Sequence, residues 1–135
     1  MNVFDLTAIE KELQEAVRAT GASGTVYTSR PNAVPGTMDD FIVAKVSGQV
    51  TDRGAIGSCV CSVSLFAKDL QGGFKNGTRL SLMQRRLTEG LALSTGSLMF
   101  SDTPRIVADA PDGYGYTARI INIDTTIKTT NLKTE

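Results

Sequence analysis

The 135-residue chain predicts an α+β domain: a mainly antiparallel sheet of about four to five strands, with two helices packed on one face. Three observations predict it. Two stretches repeat apolar residues at the 3.6 period of a helix, and three longer ones alternate apolar and polar at the period of two expected of a strand. The strands follow one another across short polar turns, which favours hairpins over parallel crossovers. There is no internal repeat, low-complexity block or composition shift. The chain therefore reads as one domain over 1–135, with 129–135 expected to be a frayed tail.

The first helix is expected over Leu6 to Thr20, where Leu6, Ile9, Leu13, Ala16 and Val17 recur on one side. Either Asp5 or a Thr7–Glu10 capping box can start it, and Gly21 is a suitable stop. Glu10, Lys11, Glu12, Glu15 and Arg18 form the opposite, solvated face. "GTVYTSRP" (Gly24 to Pro31) predicts a short strand ended by its proline. A loop follows through Pro35 and Gly36.

A second strand is expected over Asp40 to Val50. Ile42, Ala44 and Val46 share one face; Phe41, Val43, Lys45 and Ser47 share the other. "TDRG" (Thr51 to Gly54) is the turn, and a third strand begins near Ile56 and pairs with the second as a hairpin. It carries the only two cysteines, Cys59 and Cys61, in "GSCVCSVSLF". A C-x-C pair invites a metal or redox reading. Period opposes it: Cys59, Cys61, Val63, Leu65 and Ala67 fall on one face, and free cysteine packs as a small hydrophobe. Adjacent same-face positions on a strand lie about 6.6 Å apart, at the limit for a disulfide. No histidine and no second cysteine pair can complete a tetrahedral site. A core role is expected.

"KDLQGGFKNGT" (Lys68 to Thr78) reads as a loop, with Thr78 capping a second helix over about Arg79 to Leu93. Leu80, Met83, Leu87 and Leu91 form its apolar stripe. Gly90 weakens its end, and Gly96 is a stop. "RIVAD" (Arg105 to Asp109) predicts a short strand, "APDGYG" a turn, and Tyr116 to Lys128 the last long strand. On that strand Ile121, Ile123 and Ile127 lie on one face, Ala118 and Ile120 on the other.

Composition bounds the function. The formal net charge is zero and aromatics are 6%, which argues against sequence-specific nucleic-acid binding or an anionic membrane surface. No apolar run approaches a membrane span, and the N-terminus lacks the basic and apolar regions of a signal peptide. Reduced cysteines fit synthesis in a cytoplasm. Without histidine the commonest acid–base catalyst is missing. The glycine-rich stretches match no phosphate-binding fingerprint. Lys75 could meet a phosphate near a helix start, but a plain loop is the better reading. The aspartates at 39, 40, 52, 102, 109, 112 and 124 show no spacing that makes a catalytic pair. No catalytic, cofactor or metal residue is assigned, and no cofactor is expected.

The candidate functional residues are instead charged surface groups. Arg79, Arg85, Arg86 and Arg105 concentrate in the second half; Asp39 and Asp40 form the acidic entry to the second strand. A solvated face is the default reading, and a protein interface is the functional one, since Arg is enriched at interface cores.

The layout resembles the tail terminator, or tail-completion, proteins of long-tailed phages. The resemblance is carried by "LTAIEKELQEAV", then "GTVYTSRP" with its Arg30–Pro31 step, then "DDFIVAKVSG", a hairpin, one long helix, and "DGYGYTARIINIDTTI". It runs from Leu6 to Ile127. It implies a virion structural protein made in the host bacterial cytoplasm, which forms a ring, usually six copies, on the end of a finished tail tube. Its partners would be itself, the tail tube protein and a head–tail connector protein. It would stop tube growth, meet the head, and have no enzymatic activity. A closed ring needs two different patches on each subunit. Asp39 and Asp40 on one side, and Arg79, Arg85, Arg86 and Arg105 on the other, are the candidates. A small ligand-binding or regulatory α+β module, with a pocket between sheet and helices, is the alternative.

Overall fold

The computed structural model describes residues 2–134. Two layers account for it: a six-stranded sheet and two helices, both laid on the same face. The elements in chain order are α1 (Leu6–Ala19), β1 (Val26–Tyr27), β2 (Asp40–Asp52), β3 (Gly57–Lys68), α2 (Gly77–Ala92), β4 (Leu98–Phe100), β5 (Arg105–Pro111) and β6 (Tyr116–Ile127). The sheet runs β1-β2-β3-β6-β4, with β5 also on the outer side of β6. Among the described residues only β1 is parallel to its neighbour. The expected α+β class with an antiparallel sheet holds, with six strands where four to five were expected.

The expected faces match the core except at Leu6, which stands exposed in the first turn of α1. Ile42, Ala44, Cys61, Val63, Leu65, Ile121, Ile123 and Ile127 are buried under the helices. The helices contribute Ile9, Leu13 and Val17 from α1, and Leu80, Met83, Leu87 and Leu91 from α2. Asp5 caps α1, its side chain accepting from the Thr7 amide, and Gly21 follows at φ +73°. The β2–β3 hairpin is antiparallel from Asp40↔Ala67 to Asp52↔Gly57. Its register shifts between Ser47 and Thr51, a bulge entered through Gly48 at φ +76°.

Several expectations need correction. The first strand is two residues, because Ser29 to Met38 leaves the sheet as a loop. The tight turn of the hairpin lies at Arg53–Ile56, two residues after "TDRG", with the Arg53 amide donating to the Ile56 carbonyl. Asn76, not Thr78, caps α2, accepting from the Arg79 amide. β4 was not expected; its three residues are too few to show a period. β5 runs on through Pro111, into what read as a turn. The tail is also tied down. Lys133 bridges to Phe4, the Asp5 amide donates to the Leu132 carbonyl, and Lys133 Nζ bonds Asp52 at 3.0 Å. Finally, Gly90 is more than a weak point. A Cβ there would sit 2.6 Å from Thr20 Cβ, so the glycine lets α2 approach the end of α1.

Candidate interaction surface

The helices leave one sheet face uncovered. Strand alternation places Phe41, Val43 and Lys45 of β2, Phe66, Ser64, Ser62 and Val60 of β3, and Ala118, Ile120, Asn122 and Asp124 of β6 on this side. The face divides into two halves. At one end Phe41, Val43, Phe66 and Tyr116 form a second, smaller core. Phe41 stacks on Phe66 at 4.5 Å and meets Tyr116 edge-on at 5.2 Å. The loop before β2 closes over this end: Val34 and Met38 pack on the rings, and the Tyr116 hydroxyl donates to the Met38 carbonyl at 2.7 Å.

Arg30 fastens that loop. Its guanidinium lies over Phe41 at 4.8 Å and Phe66 at 5.0 Å, and Nη2 bonds Asp112 at 2.8 Å. Its Nη1 is buried with no oxygen acceptor among the described residues. The ring faces beneath the group are what offset that missing bond. The other end of the open face has no such cover. There Ser47, Thr51, Ser58, Val60, Met99, Asp124 and their neighbours border a broad, open depression of about 880 Å³.

The candidate interface residues separate into three groups. Asp40 and Arg79 meet within the chain, Nη1 to Oδ2 at 2.6 Å, and Ser23 Oγ also donates to Asp40 at 2.6 Å. Arg105 bonds Asp124 through both terminal nitrogens, at 2.9 and 3.1 Å, on the uncovered face. This bond lowers the Asp124 carboxyl below its ordinary range. Arg85 and Arg86 are exposed on α2 and form no salt bridge among the described residues; Asp39 is exposed at the start of β2. The structure therefore does not gather the six residues into one site. It pairs Asp40 with Arg79 and Arg105 with Asp124, and leaves Asp39, Arg85 and Arg86 unbonded to any opposite charge among the described residues.

Sequence reasoning missed the most engaged charges. Asp109 in β5 holds Arg119 of β6 through two bonds, 2.7 and 2.8 Å, and Lys75 at 3.0 Å. Arg119 reaches on to Gln84 and Ser81 of α2. The Arg119 bonds, followed by Lys75, pull the Asp109 carboxyl down to about 2, against the opposing effect of burial. Lys75 thus anchors a strand instead of awaiting a phosphate. Arg30 had a faint signal, an Arg–Pro step before the loop. Asp109 had none, because its two partners, Lys75 of the loop before α2 and Arg119 of β6, lie far from each other in sequence.

Cys59 and Cys61 are free and buried in the helix-covered core. Contact with Cys59 and burial push the Cys61 thiol well up, so it packs as a neutral group. No set of three or more Cys, Asp or Glu side chains is placed to hold a metal among the described residues. No helix among the described residues is long and apolar enough to cross a membrane. The chain matches no protein-family model and no curated protein.

Proposed function

We propose that this chain is a phage or prophage structural protein that caps the tail tube as an oligomeric ring, ends tube growth and provides the head-joining surface. It acts by self-assembly, without enzymatic activity. Its partners are further copies of itself, the tail tube protein and the head–tail connector protein, and it resides in the virion. The reading starts from the resemblance over Leu6 to Ile127. The observation that supports it is the one-sided sheet: both helices lie on one face, while half of the other face stands uncovered. A subunit built to be covered by neighbours has this form.

The alternative, a small ligand-binding or regulatory module, calls for an enclosed pocket between helices and sheet. The cavity in that position, beside Thr88, Leu91, Phe100 and Ile123, is about 230 Å³. Ligand sites generally run from about 300 Å³ upward.

Light scattering after size exclusion, across concentration and salt, tests the ring. A species of six copies is expected. Reversing Arg85→Glu and Arg86→Glu together is expected to abolish that species while the monomer stays folded, because these cations form no salt bridge among the described residues. Unchanged assembly of the double variant removes them from the interface. A monomer throughout that also fails to bind tube ends overturns the ring.

A further inference from the structure

The two edges of the sheet are finished differently. On the β2 edge, β1 pairs with Ile42 and Val43. Next along, the Val46 amide donates to Glu10 of α1 at 2.9 Å. Beyond Val46, from Ser47 to Asp52, no strand lies against β2 among the described residues. On the opposite edge, β5 pairs with β6 on one side only, and no strand lies on its other side among the described residues. It has seven residues, and both of its faces stand exposed at Ile106 (52%) and Val107 (45%). β4, in line with it, exposes Met99 at 54%. Exposed apolar edge strands are templates for pairing, and natural proteins usually blunt them with lysine, proline or a covering element. Here Pro111 and a register shift between Val107 and Ala110 blunt only the far end of β5.

From these edges we infer that the β5–β4 edge of one copy pairs with the free Ser47–Asp52 edge of β2 in the next, so that the sheets of neighbouring subunits join. This inference rests on the ring reading and names its contact. The occupant follows from direction and length. β2 is antiparallel to β3, β3 to β6, and β6 to β5, so β5 is antiparallel to β2. Copies set side by side with their helices on the same side therefore bring β5 against β2 in an antiparallel sense, without inverting either. The free part of β2 spans six residues and β5 spans seven. The contact is heterologous, two different edges of one chain, which is what closes a ring. The two segments lie at different heights in the sheet, since β5 sits level with the β1 end. The joined sheets must therefore stagger, as tilted strands do in closed barrels. A sheet with no free edge also removes the aggregation hazard of β5.

Hydrogen exchange on the full chain, comparing dilute monomer with the concentrated assembly, tests this independently of register. Amides of Ile106–Asp109 and of Gln49–Asp52 are expected to slow together at least tenfold on assembly, while the exposed face of α2 is unchanged. Ile106→Lys, which places a charge on the edge without removing an amide, is expected to raise the concentration needed for assembly at least tenfold at unchanged melting temperature. Slowing at β5 without β2 overturns the inference in favour of a two-fold β5 contact. Slowing confined to the helices, in an oligomer of ring mass, overturns edge pairing and leaves the ring standing. A monomer at every concentration overturns edge pairing and ring formation in solution together. If Ile106→Lys lowers the melting temperature, Ala108→Lys serves as the edge charge, and normal assembly of a folded edge variant likewise refutes the inference.

Discussion

The two faces of the sheet are built by different means. The helix-covered face is a single core in which strand alternation meets two apolar helix stripes, and almost every member is aliphatic or a thiol. The open face is held only at one end, by four aromatic or β-branched residues, a loop and one arginine. Its other end stays uncovered. The first face fixes stability by area and packing. The second depends on a few directional contacts, and it is also the face left for partners. One sheet thus carries a part that must not change and a part that can be fitted to a neighbour.

The largest expected effect lies on the covered face. Leu87→Ala, at a fully buried position of α2, is expected to cost about 3 kcal/mol in denaturant unfolding. The capacity to assemble should survive at temperatures where the variant is folded. Gly90→Ala sharpens the packing side of the contrast. Alanine favours the helix by about 1 kcal/mol, yet its methyl would meet Thr20. A net loss of about 1–2 kcal/mol is expected, and a net gain would show that α1 and α2 can separate freely.

Arg30→Ala comes next. Losing both the Asp112 bond and the ring contacts is expected to cost about 1–2 kcal/mol. Amide exchange should speed up in the loop from Asn32 to Met38 and not in α1. Arg30→Lys should fail to restore it, since an ammonium cannot span two rings and a carboxylate as a planar group does.

A comparable effect is expected from acid. The Asp109 carboxyl is held at about 2, below its ordinary 3.8, by Arg119 and Lys75. A depressed carboxylate contributes stability that is complete above about pH 4 and is lost as pH falls through about 2. Asp109→Asn should therefore lose about 1–2 kcal/mol at neutral pH, allowing for its partly solvated partners. Its stability should also fall less steeply between pH 4 and 2 in pH-stepped denaturation. Equal slopes would show that Asp109 does not anchor β5. The smallest effect belongs to the exposed Arg105–Asp124 pair: Arg105→Ala should leave the melting midpoint unchanged within error.

Legibility in the sequence followed the range of the signal. The stripes Ile9–Leu13–Val17 and Leu80–Met83–Leu87–Leu91 repeat locally, and they named the buried helix faces. The alternation through Cys59, Cys61 and Val63 assigned the thiols to the core, where they lie. β4 is too short to repeat. The tail carries no apolar period, but Lys133 finds Asp52 at 3.0 Å once the hairpin tip arrives beside it. The charged candidates were recognisable as surface groups; that Asp40 would be taken by Arg79 and Arg105 by Asp124 was not.

By itself, then, the sequence determined the class of fold, the hairpin and the inward side of α1, α2, β2, β3 and β6, because periodicity is a property of neighbours along the chain. Tertiary structure decided which face of the sheet stays open, which edges lack a strand, and where Arg30 and Asp109 find their partners. Arg30 and Asp112 are 82 positions apart. Contacts across such distances are set by how whole strands order in the sheet, and that order is a balance of packing over the entire core, which no short stretch of residues records.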